Sequence, residues 1–218
     1  MEFTAKDFIR YFKAVVDVIE EQKDYLCELD RKLGDGDHGV TMSIGWQAVN
    51  EKLENELANE EDPAKVNTTV AKTFLNAVGS SVGPLYATGF IRGAKVIKGK
   101  TVIKDQDLAE YWIAFGRGIQ ERGGAQVGEK TMVDTLVPFL NELEAKFKKS
   151  GDFVGAFTSA VHQAKKGMES TKDLLSKKGR SSRLGDRSIG VQDPGATSCY
   201  LILETFLNYV NNKVEKVG

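Results

Sequence analysis

The sequence predicts an all-α protein in which eight helices form a single domain over residues 1–218. Apolar residues recur at three- and four-residue steps through most of the chain, which is the spacing of one face of an α-helix. Clusters of glycine, proline and aspartate interrupt this pattern at intervals of ordinary helix length. We predict no sheet, because short runs such as Thr101–Ile103 are too isolated to build one.

The first predicted helix follows a capping box formed by Thr4 and Asp7, and it extends to about Cys27. Each later helix carries an apolar face and is preceded by a polar or glycine-containing break. These helices begin near residues 40, 63, 84, 105, 131, 152 and 196, and the last ends near Val214. A short helical turn is also expected at 171–176.

Composition excludes several classes of function. The net charge of −1 gives no overall attraction to nucleic acid or to an anionic membrane. Two distant cysteines, Cys27 and Cys199, form no metal-binding or redox spacing and are compatible with a reducing cytoplasm. The N-terminus lacks the apolar core of a secretory signal, and no apolar run reaches the length of a membrane span.

Four glycine-rich breaks, at residues 34–39, 79–83, 123–128 and 179–195, alternate with plainer connections. Each follows an odd-numbered helix, so all four lie at the same end of an up-and-down bundle. Glycine lets the backbone approach a ligand closely, and helix N-termini favour anions. With the basic residues of the last break, this rim suits Mg²⁺ and a phosphorylated nucleotide.

Three carboxylates, Asp30, Asp35 and Asp37, lie in or beside the first break, in the sequence DRKLGDGDHG. Clustered carboxylates repel unless a cation lies between them, and hard oxygen ligands suit Mg²⁺ or Ca²⁺ rather than zinc. The same pattern is also common in solvated turns. An EF-hand is excluded, because Val40 and Trp46 stand where that calcium loop needs Gly and Glu.

Two other motifs resemble catalytic signatures without their context. GSSVG matches the nucleophile elbow of serine hydrolases, with Ser81 as nucleophile, but a helical pattern precedes it where the elbow needs a strand. GGAQVGEKT is similar to a P-loop, but Glu129 separates the glycine from Lys130, and no strand precedes it.

Longer motifs identify a family. The segments LDRKLGDGDHG, GSSVGPLYATGF, RGGAQVGEKTMVDTL and GRSSRLGDRSIGVQDPGATS occur in this order from the first helix to the last. In sequence and spacing the chain resembles the nucleotide-binding L subunits of dihydroxyacetone kinases. Gly36 and Thr41 depart from the residues common in that family, Ala and Asn. The resemblance implies a barrel of eight antiparallel amphipathic helices with ADP and two Mg²⁺ ions at one rim.

The resemblance also implies roles for individual residues. Asp30, Asp35 and Asp37 would be the Mg²⁺ ligands. The cofactor-binding residues would come from the four breaks and the helix starts beside them. They are His38, Gly39, Val40, Thr41, Ser80, Ser81, Val82, Gly123, Thr131, Met132, Arg180, Asp193, Pro194 and Gly195.

The implied activity is phosphoryl transfer to dihydroxyacetone held by a separate K subunit, with no further catalytic residue in this chain. In the version coupled to the phosphotransferase system, ADP stays bound and is rephosphorylated in place by a subunit M. We expect this version, because the chain begins at the first helix and ends after the eighth. An ATP-dependent ketose kinase subunit and a non-catalytic nucleotide-binding regulator remain alternatives.

Overall fold

Eight α-helices follow one another in the computed structural model, which describes residues 1–215. Their bounds are α1 Ala5–Leu33, α2 His38–Asn55, α3 Pro63–Ala77, α4 Val82–Val96, α5 Asp105–Gly123, α6 Val133–Ser150, α7 Phe153–Ser170 and α8 Pro194–Glu215. The predicted all-α class is confirmed. The last three residues of the predicted domain, 216–218, lie outside the described range.

The helices close into a ring. Each packs against its neighbours in the chain, and α8 packs against α1. One apolar core joins all eight, and its largest buried side chains are aromatic, with Trp46 and Trp112 among them. The expected antiparallel barrel is therefore confirmed, with its centre filled by side chains. Among the helices of residues 1–215, each is too short or too polar to span a lipid bilayer.

Two helix boundaries beside the three aspartates differ from the predictions, and α4, α6 and α8 each begin two residues from their predicted starts. The helix α1 continues to Leu33 instead of ending near Cys27, because the buried Leu29 and Leu33 extend its apolar face. Asp30 therefore lies in the last helical turn. The helix α2 begins at His38, two residues before its predicted start.

The expectation of no sheet was wrong at one point. Residues Phe3–Thr4 form strand β1, which pairs antiparallel with strand β2, Val102–Ile103. Each strand has two residues, and they come from parts of the chain about a hundred residues apart, so neither leaves a pattern in the sequence. The pair buries Phe3 and Ile103 completely.

The connection between α7 and α8 contains short 3-10 turns, at Thr171–Asp173 and Arg180–Ser188, the second broken by a kink at Gly185. The first agrees with the short turn predicted at 171–176. Residues 171–191 are called the 171–191 segment below.

Candidate functional site

Residues from all four glycine-rich breaks line one cavity of about 850 Å³ at one end of the barrel. The predicted common rim is confirmed. The helices α2, α4, α6 and α8 all begin at this end. Their first turns direct backbone N–H groups and the positive ends of four helix dipoles toward one space.

Asp30 connects the end of α1 to the start of α2. Its Oδ2 accepts hydrogen bonds from the backbone N–H groups of Asp37, at 2.9 Å, and His38, at 3.2 Å. The chain stops being helical at Gly34, whose N–H still donates to the Asp30 carbonyl at 2.5 Å. These bonds fold the loop back on itself and bring Asp35 and Asp37 beside Asp30.

The three predicted metal ligands converge. One oxygen each of Asp30, Asp35 and Asp37 lies within 4.8 Å of the others. Asp30 is half-buried and the other two are exposed. Three anionic oxygens without a nitrogen or sulfur donor fit a hard cation such as Mg²⁺. The Nη1 group of Arg180, from the 171–191 segment, donates to Oδ2 of Asp35, so this segment reaches the carboxylates.

His38 links the starts of two helices. Its Nε2 lies 2.9 Å from Oγ of Ser198 in α8, and that hydroxyl is 3.2 Å from the Gly195 carbonyl. Burial lowers the pKa of His38 to about 4, although the neighbouring Asp30 carboxylate acts in the opposite direction. The imidazole is therefore neutral near pH 7.

Two of the predicted cofactor-binding residues do not line the cavity. Gly39 is buried against α1, where an added Cβ would lie 2.0 Å from the Lys23 carbonyl oxygen. Its lack of a side chain allows α1 and α2 to approach closely. Val40 is 42% exposed on the outer surface of α2. Thr41 does line the cavity.

Ser80, Ser81 and Val82 line the cavity at the start of α4. His38 lines the same cavity, but its Nε2 bonds to Ser198, and His162 lies within α7. Within residues 1–215, neither histidine is hydrogen-bonded to Ser81. The serine–histidine hydrogen bond that characterises the serine hydrolase alternative is therefore not formed at Ser81.

Gly123, Thr131 and Met132 line the same cavity before α6. The buried carboxylate of Asp134 fixes this loop. It accepts hydrogen bonds from the N–H groups of Gly128, at 2.6 Å, and Thr131, at 2.8 Å. A carboxylate in the first turn of a helix thus orders the six residues that precede it.

Asp193, Pro194 and Gly195 line the cavity at the start of α8. Oδ2 of Asp193 accepts a hydrogen bond from the Ala196 N–H at 2.8 Å, and the Asp193 N–H donates to Oγ1 of Thr171 at 2.9 Å. Burial raises the pKa of Asp193 from its ordinary 3.8 to about 7. This rise occurs despite the Ala196 N–H and the nearby Lys130 ammonium.

Comparison with known proteins assigns the fold and the loops to one family. The model of the DAK2 domain matches residues 32–208. The chain belongs to the DAK2 domain family. A PEP-dependent dihydroxyacetone kinase 2, ADP-binding subunit DhaL, from Listeria innocua is 35% identical, over 90% of this chain and 91% of that protein. The ADP-binding subunit DhaL of the PEP-dependent dihydroxyacetone kinase of Escherichia coli is 32% identical, over 94% of this chain and 96% of that protein.

The same domain also forms part of longer proteins. The chain is 31% identical to human triokinase/FMN cyclase, over 87% of this chain and 32% of that protein. A crystal structure of the dihydroxyacetone kinase from C. freundii in complex with AMP-PNP and Mg²⁺ superimposes with a TM-score of 0.69. The superposition covers 92% of this chain and 33% of the crystallised kinase chain. The two sequences are 22% identical over it, so the comparison supports the fold alone.

Two residues that organise the site of this DAK2 domain were missed by sequence reasoning. Asp134 and Lys130 both lie in the motif RGGAQVGEKTMVDTL, and both are almost fully buried. Lys130 was considered only as part of a failed P-loop match. For Asp134 the usable signal was a charged residue between the apolar pairs Met132–Val133 and Leu136–Val137, because buried charges require specific partners. Lys130, between Glu129 and Thr131, gave no such signal.

Proposed function

We propose that this chain is the ADP-binding subunit of a dihydroxyacetone kinase, with ADP or ATP and two Mg²⁺ ions as cofactors. It would pass a phosphoryl group from the phosphotransferase system, through a subunit M, to dihydroxyacetone held on a K subunit. The observation that carries the proposal is the convergence of three carboxylates within 4.8 Å at a rim where four helices begin. The names of the relatives that match most of their own length support it.

The carboxylates of Asp30, Asp35 and Asp37 would hold the metal. When bound, Mg²⁺ supplies positive charge that offsets the charge of the phosphate oxygens during transfer. Asp30 is held in place by two backbone N–H groups, so its carboxylate is oriented before any ligand arrives. Such preorganisation lowers the cost of assembling the site.

The helix N-termini would hold the phosphates. The helices α2 and α4 begin at this rim, where the helix dipole favours anions, and the backbone N–H groups of Ser81 and Val82 lie at the start of α4. Arg180 adds a guanidinium, which suits phosphate oxygens. Phosphoryl transfer needs positioning and charge stabilisation more than a covalent intermediate, so the chain requires no nucleophile of its own.

Apolar side chains complete the cavity. Leu85, Ile119 and Met132 line it together with Gly123 and Thr131. A flat base prefers apolar walls with a few polar groups that fix its orientation. We therefore assign this part of the cavity to the adenine and the ribose.

The phosphotransferase system is preferred over free ATP as donor because of sequence identity. The phosphotransferase-dependent subunits are 32–38% identical to this chain. The longer kinases, which include enzymes for L- and D-erythrulose, are 28–31% identical. A cytoplasmic location is part of the proposal, and the two free, buried cysteines are compatible with a reducing compartment.

The proposal is tested first by native mass spectrometry of the purified protein, which should show retained ADP. The ATP-loaded protein mixed with a K subunit and dihydroxyacetone should then transfer one phosphoryl group per chain. Further turnovers should require phosphoenolpyruvate, the phosphotransferase proteins and subunit M. Sustained turnover with free ATP alone would establish an ATP-dependent kinase subunit instead, and binding without any transfer would establish a regulator.

A further inference from the structure

Lys130 is 1% exposed, and its ammonium group contacts four backbone carbonyl oxygens. The distances from Nζ are 2.6 Å to Thr171, 3.2 Å to Leu174, 2.6 Å to Ser188 and 2.6 Å to Val191. Three ammonium protons are thus shared among four acceptors. All four carbonyls belong to the 171–191 segment, two from its beginning and two from its end.

The lysine itself is held in an unusual backbone conformation. Its φ of 64° makes it the one non-glycine residue with positive φ within residues 1–215. The loop before it is fixed by Asp134, which accepts from Gly128 and Thr131. Burying an ammonium is costly unless it is fully hydrogen-bonded. The sequence therefore maintains a strained backbone and a buried charge at one position, where they join the two ends of the 171–191 segment.

The middle of this segment forms part of the candidate site. Lys178, Gly179, Arg180 and Ser181 line the cavity, and Arg180 donates to Asp35. These residues are themselves exposed or half-buried, and their polar contacts outside the segment are the ion pairs of Lys178 with Glu129 and of Arg180 with Asp35. Their position therefore depends on how the ends of the segment are held.

We propose that Lys130 is a positioning residue that closes the base of the 171–191 segment and thereby slows the release of ADP. This inference rests on the proposed function as far as ADP is concerned. Closing the base shortens the loop that carries Arg180 and reduces the number of conformations in which the segment leaves the cavity. Lys130 also lines the cavity, but all four hydrogen bonds of its ammonium group go to backbone carbonyls of the 171–191 segment.

Two variants test the closure. Lys130→Met keeps most of the side-chain volume but removes the charge and the donors. Lys130→Gly removes the side chain and suits the positive φ, so it introduces no backbone strain. The matched control is Lys172→Met, an exposed lysine of the same segment whose side chain forms no ion pair within residues 1–215.

Hydrogen exchange of the protein without nucleotide measures the closure directly. Exchange of peptides covering residues 171–191 should become about tenfold faster or more in both Lys130 variants, because hydrogen bonds from a charged group are lost. Exchange in α1 to α5 should not change, and Lys172→Met should resemble the wild type. Unchanged exchange at 171–191 in both variants would overturn the proposal.

Release of ADP in the presence of Mg²⁺ measures the consequence. The dissociation rate should rise about tenfold in both variants, from the same loss of charge-assisted hydrogen bonds. In Lys130→Gly, n-butylammonium should restore slow release and slow exchange, because it replaces the deleted side chain with an ammonium. The isosteric n-butanol should not. Equal effects of the two compounds would show that volume alone matters and would overturn the proposal.

A change of charge near the phosphates must be separated from loss of closure. Ser188→Ala removes the hydrogen bond of 2.9 Å from the Ser176 N–H to Oγ of Ser188 and leaves all charges unchanged. It should speed ADP release in proportion to the faster exchange of the segment. Faster hydrogen exchange of the segment in Ser188→Ala without faster ADP release would show that closure of the segment does not control release, and it would overturn the proposal. A wild-type protein that binds no ADP would reject the proposed function, whereas the exchange experiment would still decide the closure.

Discussion

The loop at residues 30–39 and the 171–191 segment meet at Arg180 and Asp35, but they are held by different kinds of contact. The first is fixed by its own backbone, since Asp30 accepts from N–H groups seven and eight residues away. The second is closed at its base by the Lys130 ammonium group, which contacts carbonyls 41 to 61 residues away, and by the Gly190 N–H, which donates to the Lys172 carbonyl. The candidate metal ligands therefore lie on the locally determined element, whereas the segment that carries Arg180 depends on contacts between distant parts of the chain.

This difference has an energetic consequence. Local hydrogen bonds of the 30–39 loop form together with the helices α1 and α2, so the carboxylates are preorganised even when the rest of the rim opens. The 171–191 segment has few apolar residues to bury and depends on a small number of polar contacts. Segments of this kind open at lower free energy than the core. Substitutions in the 30–39 loop, in the loop that holds Lys130 and at the starts of α8 and α4 should therefore have different effects.

The largest effect is expected on the carboxylate loop. Asp35→Asn removes one anionic ligand while the helices still form, because Asp35 is exposed. We expect the affinity for ADP in the presence of Mg²⁺ to fall by about 100-fold, at the upper end of losses seen when support of a metal site is removed. Isothermal titration calorimetry measures it.

The control for this change is Asp24→Asn, which removes an equal charge from the exposed surface of α1. It should leave the affinity for ADP within a factor of two or so, since distant exposed charges are screened by salt. Unchanged affinity in Asp35→Asn would mean that these carboxylates do not hold the metal.

The second prediction concerns the loop that carries Lys130. Asp134→Ala leaves the N–H groups of Gly128 and Thr131 without their acceptor in a buried place. The free energy of unfolding should fall by about 2–3 kcal/mol, the cost of unsatisfied buried groups. Hydrogen exchange should rise at 171–191 and stay low at 30–39. An equal rise in hydrogen exchange at 30–39 and at 171–191 would contradict the view that the two elements are held independently.

The same contrast explains which features could be read from the sequence. The positions of the three aspartates and the common rim follow from helical periodicity and glycine spacing, which are local patterns. The role of Lys130 could not be read, because its partners are backbone carbonyls 41 to 61 residues away. The partners of Asp134 are only three and six residues before it, but they are backbone N–H groups of an irregular loop, which leave no periodic pattern. The β1–β2 pair was missed for the same reason, since each strand has only two residues. The end of α1 was placed too early because the aspartate-rich stretch from Asp30 was assigned to a loop as a whole, whereas residues 30–33 form the last helical turn.

A third prediction uses the pKa of Asp193, at the junction of the 171–191 segment with α8. Burial raises this pKa from 3.8 to about 7, so between these values the folded protein binds more protons than the unfolded chain. The contribution of Asp193 to stability is therefore present at low pH and is lost as the pH rises from about 4 to 7. Asp193→Asn should abolish this loss and keep the helix cap, because Asn also accepts at the N-cap.

The measurement is urea unfolding of both proteins at pH 5 and pH 7.5. The stability of Asp193→Asn relative to the wild type should increase between these two values. His38 has a lowered pKa and contributes in the opposite direction, since its stabilisation is lost as the pH falls below about 6.5. The contribution of His38 is the same in both proteins, so it cancels when their free energies of unfolding are subtracted. If the difference in free energy of unfolding between the two proteins were the same at pH 5 and pH 7.5, Asp193 would be ionised in the folded protein at both values.

The smallest effect is expected at the start of α4, which contributes backbone groups rather than side chains. Ser81→Ala removes a hydroxyl that is hydrogen-bonded to neither histidine, while the N–H groups of Ser81 and Val82 stay in place. The affinity for ADP should change by less than about threefold, as for the loss of one weak hydrogen bond. Calorimetry with Mg²⁺ measures it, and a fluorophosphonate probe should form no covalent adduct with the wild type. An adduct at Ser81 would restore the hydrolase alternative, because that reaction requires an activated serine that phosphoryl transfer on this rim does not need.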